Sequence, residues 1–137
     1  MPNVASRALH KVLRDHGTND PFIIAENLGI EIAYAPFSEL GGTFVNVFNT
    51  PMIIINQEYE YTPHAKFVAA HELFHAMQHD GTLAFYHKAI NVTGKKEREA
   101  NRFATYLCLV EATIYEGQST YDTLRENYIP QEMEEFL

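Results

Sequence analysis

Ala70-His71-Glu72-Leu73-Phe74-His75-Ala76 is the stretch on which the reading of this chain turns. Its polar residues stand as H-E-x-x-H inside an apolar run, with Phe67-Val68-Ala69 before it and Met77 after it. Apolar residues at 67, 68, 70, 73, 74 and 77 recur at helical spacing. The segment from Thr62-Pro63 to about Asp80 is therefore predicted to be a buried helix, stopped at Gly81. Residues four apart on a helix share a face, so His71 and His75 can close on one metal ion. Glu72 projects beside that point, where a carboxylate can take a proton from water. Two imidazoles on an apolar helix also need polar partners, and a metal ion answers that need.

A catalytic zinc takes three protein ligands and keeps a position open. His79 lies a turn beyond His75, too far along the helix to converge with the other two. The next long helical segment, Lys95 to about Ala112, offers Glu97 and Glu99. Helical phase groups Glu97 with Ala100, Asn101, Ala104 and Leu107, a face of mostly small residues that permits close packing. Glu99 points instead with Arg102, Phe103 and Tyr106. Glu97 is the expected third ligand, and Asn101 is positioned to hydrogen-bond a ligand histidine. Tyr61, His64, Tyr86 and His87 flank the metal helix and, with His79, are candidate rim residues or transition-state donors.

The flanking sequence supplies the scaffold. Val4, Ala8, Leu9, Val12 and Leu13 predict a first helix to about Asp15. Asp20-Pro21 starts a second that ends near Gly29. Ile30–Tyr34, Thr43–Phe48 and Met52–Ile55 read as three short strands, with Ser38–Gly42 and Asn49–Pro51 as the connections. A loop is expected between the two long helices, and short acidic helices near Tyr121–Tyr128 and Pro130–Phe136. The expected fold is α+β: a small antiparallel sheet of about three strands packed with helices. Its strands near Thr43–Ile55 offer an edge for an extended peptide.

Composition bounds the function. The 137 residues carry ten Lys and Arg against eighteen Asp and Glu, a formal charge of −8 that disfavours a nucleic-acid grip. Seven of the acids, and only one base, Arg125, lie from Glu111 onward. Arg7, Lys11 and Arg14 on the first helix read as a solvated face. The short apolar runs predict no membrane span. The start of the chain has no signal-peptide pattern, which predicts a cytoplasmic protein. Cys108 is the single cysteine, so an intrachain disulfide is excluded; it falls on the apolar side of its helix. One domain is expected over 1–137, with a core at about 20–112 and an acidic helical end at 113–137.

The chain resembles the ImmA/IrrE family of zinc metallopeptidases. The resemblance rests on Asp20-Pro21-Phe22-Ile23-Ile24-Ala25, Leu28-Gly29-Ile30, Glu39-Leu40-Gly41-Gly42, Ile53-Ile54-Ile55-Asn56, the H-E-x-x-H segment, and Glu97-Arg98-Glu99-Ala100-Asn101-Arg102-Phe103-Ala104. It implies a zincin-like helix pair holding one zinc ion through His71, His75 and Glu97, with Glu72 as general base. It also implies a protein substrate: a helix-turn-helix repressor or regulator whose cleavage relieves repression, often in phages and mobile elements. Two departures stand out. Phe74 replaces a small residue, commonly Gly, and the stretch Tyr106–Glu111 has no proline. A regulator that binds and masks a repressor without cutting it, with zinc only holding the helices, is the alternative from another class. A hydrolase with a non-protein substrate is a third. Oligomeric state and target identity are left open by the sequence.

Overall fold

The computed structural model describes residues 3–78, 84–87 and 94–137, with the backbone alone at 84–87. Local chemistry accounts for the first elements. Helix α1 (Val4–His16) begins where the Asn3 side chain accepts the Ser6 N–H at 2.8 Å. It ends at Gly17, whose φ of +66° is the left-handed conformation glycine adopts freely. Helix α2 (Pro21–Asn27) is capped by Asp20, which accepts from Phe22 N–H at 2.9 Å, with Pro21 in the first turn where no donor is needed.

Three strands follow: β1 (Glu31–Ala35), β2 (Leu40–Val47) and β3 (Thr50–Asn56). Helix α3 (Ala65–Gln78) comes next, after a 3-10 turn at Gln57–Tyr59. Then come β4 (Ala84–His87), α4 (Lys95–Leu109), α5 (Thr120–Glu126) and a terminal 3-10 segment at Gln131–Phe136.

The α+β class matches the sequence reading, but the sheet is mixed rather than antiparallel throughout. Its order is β1-β3-β2-β4. β2 and β3 form a hairpin in register Val47↔Thr50 to Gly42↔Ile55, turning through Phe48 and Asn49 at φ +50° and +65°. β1 joins the far side of β3 and runs parallel to it, Glu31↔Met52 to Ala35↔Asn56. β4, read from sequence as loop, pairs antiparallel with Leu40–Phe44 of β2. Much of the edge expected at Thr43–Ile55 is covered, by β4 at Thr43–Phe44 and by β1 at Met52–Ile55, while Val45–Val47 pair with β3 alone among the described residues.

Gly41 and Gly42 were expected in a turn and instead lie inside β2. A Cβ on Gly42 would come within 2.7 Å of Val68 Cγ1 and 3.2 Å of the Ile54 carbonyl, so glycine lets α3 press onto the sheet there. Asn56, 2 % exposed, ties the connection before β2 to the end of β3: its Nδ2 donates to Phe37 O and Leu40 O at 2.9 and 2.8 Å.

The core gathers Ile24, Ile53, Ile55, Phe67, Leu73, Phe103 and Leu107, all fully buried. Each such side chain contributes about 1.5–3 kcal/mol by leaving water. Phe74, the departure noted above, is buried with its ring centroid 5.4 Å from that of Phe103, so it joins α3 to α4. Asn19 Nδ2 donates to Leu107 O and Val110 O at 3.2 and 3.0 Å, closing the C-terminal end of α4. The acidic C-terminal end is docked as well. Met133 and Phe136 are buried, and the guanidinium groups of Arg98 and Arg102 lie 5.5 and 5.2 Å from the Phe136 ring centre. No described helix is long and apolar enough to cross a membrane.

Candidate metal centre

Helix α3 is buried on nearly every side, which is why its sequence has no polar stripe apart from the metal motif. His71, Glu72 and His75 are 1, 0 and 4 % exposed. Helix α4 brings Glu97 over them. Glu97 Oε2 lies 3.1 Å from His71 Nε2, and Glu97 Oε1 lies 2.8 Å from His75 Nε2. One ligand atom from each of the three residues falls within 4.8 Å of the others, a group able to hold a metal ion. A tetrahedral ion at zinc–ligand lengths of about 2.0–2.1 Å sets its ligand atoms roughly 3.3 Å apart, and each histidine Nε2 has one Glu97 oxygen near that separation. Glu97 is 32 % exposed on its side chain, so the centre opens to solvent along α4.

The donor set suits a cation. Among the described residues both Glu72 oxygens and His75 Nε2 are buried with no hydrogen-bond partner. The 2.8 Å approach of His75 to Glu97 is a charge-distance contact that misses hydrogen-bond alignment. Buried polar atoms are rarely left so, and a positive ion held by the two histidines and Glu97 would satisfy His75 Nε2. Burial is the largest influence on His71 and holds its pKa below the usual imidazole value, against the hydrogen bond and charge of Glu97. The neutral ring is the ligating form. Burial also raises Glu97, yet the close approach of the two histidine rings to its carboxylate outweighs that and brings it down to about 2. Glu72 moves the other way: burial, then the charge of Glu97, pushes its carboxyl well above the usual range. The two carboxylates that approach His71 Nε2, Glu72 at 3.9 Å and Glu97 at 3.1 Å, thus have opposite tendencies, one to hold a proton and one to stay ionised.

Asn101, one turn after Glu97, is 2 % exposed with Oδ1 2.8 Å from His71 Nδ1. That Nδ1–H donates to the amide oxygen, leaving Nε2 to face Glu97. Glu99 faces elsewhere. Its Oε2 accepts the Ala5 N–H at 3.1 Å at the start of α1, and its Oε1 pairs with Arg102 at 2.7 Å. It serves as a cap for another helix.

The remaining candidates are not brought to the centre by any described contact. Tyr61 is 97 % exposed on the turn before α3. His64 stacks edge-on to Tyr128, with ring centroids 5.4 Å apart. His79 lies outside the described residues, as do the side chains of Tyr86 and His87. Cys108 is buried, which pushes its thiol up to about 12 and leaves it inert. On α1, Lys11 and Arg14 both pair with Asp15. A cavity of about 680 Å³ between α1, the sheet and the end of α3 contains none of the three ligand candidates.

One participant escaped the sequence reading: Gly42, whose absent Cβ would sit 3.6 Å from Glu72 Cγ. The available signal was a glycine pair abutting a β-branched run, which marks close backbone approach as readily as a turn.

A family model described as Peptidase_M78, IrrE N-terminal-like domain, matches residues 25–136. No curated protein and no solved structure gives a significant match.

Proposed function

Because the chain belongs to this peptidase family, we propose that it is a zinc-dependent endopeptidase that cleaves a DNA-binding repressor or regulator and so relieves repression. His71 Nε2, His75 Nε2 and the Glu97 carboxylate hold the ion, and Asn101 fixes the orientation of His71. Zinc, when bound, supplies the positive charge that polarises a peptide carbonyl and acidifies water. Glu72 receives a proton from the attacking water on one carboxylate oxygen. As the C–N bond breaks, it passes that proton to the departing amine nitrogen. The described residues work as one cytoplasmic domain in this reading, with the substrate protein recognised by the domain itself.

The observation that carries the reading is the convergence of two buried imidazoles and one carboxylate beside a second, partnerless carboxylate. A zinc site that merely clamps helices has no use for Glu72 at that position.

Co-expression with the regulator encoded beside the gene tests the proposal, reading for a cleaved product. The wild-type protein should yield fragments. Glu72→Gln should fold, bind zinc and cut at least about 100-fold more slowly, the scale of a lost general base. Relief of repression by Glu72→Gln with the regulator intact would establish the masking mechanism instead.

A further inference from the structure

A second cavity, of about 280 Å³, lies between the Gln57–Tyr59 turn, the first turn of α3 and the α5 to C-terminal segment. Tyr59, His64, Tyr121 and Tyr128 line it, together with Phe67 and Val68 from α3. The Tyr59 and His64 ring centroids are 6.4 Å apart, and Tyr128 meets His64 nearly edge-on at 75°. Tyr121 and Tyr128 remain 59 and 45 % exposed, so aromatic faces are left for a guest.

The charge around this cup has one prevailing sign. Glu58, Glu60, Asp122 and Glu126 are carried by the lining elements or the residue beside them, and the acidic Gln131–Phe136 segment continues from its rim. No acid is itself among the described lining residues; Arg125 lines the cup with Asp122 3.6 Å from it, and Lys66 stands beside the lining Phe67, so four neighbouring acids are set against two bases. Tyrosine faces attract a cation through their ring quadrupoles, and neighbouring carboxylates add to that attraction. The volume suits one long side chain.

We propose that this tyrosine-lined cup is an accessory binding site for an arginine side chain of a basic protein segment. It deepens the peptidase reading, on which it rests, by naming a feature of the substrate. The cup and the metal centre share α3. Val68 lies one turn before Glu72, and the cup's α3 residues stand about 4–12 Å along the helix axis from the two histidines, at 1.5 Å per residue. The acidic surface that repels nucleic acid is complementary to the basic face of a DNA-binding protein.

The test uses the full chain carrying Glu72→Gln, so that cutting cannot intrude. The probe is an acetylated hexapeptide of glycine and serine with two arginines, paired with a twin in which citrulline replaces both. Amide shifts in ¹⁵N-resolved NMR titrations should map to Tyr59, Tyr121 and Tyr128, with the citrulline twin at least about tenfold weaker. Tyr121→Ala, a change at an exposed ring, should weaken the arginine peptide severalfold, and Arg125→Gln should strengthen it. Equal affinity for the two peptides, shifts that map elsewhere, or no effect of Tyr121→Ala would overturn the proposal. Binding is read without catalysis. Failure here leaves the peptidase reading intact, and a cup that binds in a protein that never cuts would remove that reading alone.

Discussion

His71 meets two demands at once. Its Nδ1–H donates to Asn101 at 2.8 Å while its Nε2 faces Glu97 at 3.1 Å, so a single side chain on α4 selects the tautomer that ligation needs. Asn101→Ala should leave the chain folded and weaken zinc about 10–100-fold, measured by competition with a chromophoric chelator. The pair was legible in the sequence because helical phase is rigid. Positions 71 and 75 share a face, as do 97 and 101, and the small residues at 100 and 104 announce a close neighbour. Phase also separates Glu97 from Glu99, although the task of Glu99 was not legible. Its partner, the Ala5 N–H, is 94 positions away and belongs to a helix the phase argument does not reach.

Among elements, the contact between β2 and α3 decides how Glu72 is held. Gly42 leaves just enough room for Val68 and for the Glu72 stem. Gly42→Ala should cost about 1–3 kcal/mol, since both the Ile54 backbone and Val68 would have to move, and it should appear as a lower midpoint in chemical denaturation. A midpoint equal to wild type would mean that the helix yields freely. The helices were legible because caps and period are local: Asp20-Pro21 opens α2, and the spacing of Val4, Ala8, Leu9, Val12 and Leu13 marks α1. The sheet was less so. Nothing local tells β1 to cross to the far side of β3, or β4 to form from a segment without β-branched alternation. Strand order is a property of tertiary pairing, and hydrophobic alternation specifies only that a strand exists.

Across the whole molecule, α1, α4 and the C-terminal segment brace one another: Glu99 caps α1, Asn19 closes α4, and Phe136 sits beneath two arginines. The excess of carboxylates near the C-terminus, legible as bulk acidity, is therefore carried on packed structure. Its placement around a tyrosine cup could be found only once α5 and the Gln57–Tyr59 turn had come together. Metal should also be part of global stability, because among the described residues the buried His75 Nε2 has no hydrogen-bond partner in its absence. Zinc present at 100- to 1,000-fold over its dissociation constant should add about 2.7–4.1 kcal/mol. Chelation should lower the melting temperature, zinc should restore it, and magnesium should not.

The account depends most on three side chains holding one ion. Native mass spectrometry of zinc-loaded protein tests this directly, comparing wild type with His75→Ala, Glu97→Ala and Glu99→Ala. One zinc per chain is expected in wild type and in Glu99→Ala, and none is expected in His75→Ala or Glu97→Ala after equal dialysis. A wild-type chain without zinc, or a Glu97→Ala chain that keeps a full equivalent, would contradict it.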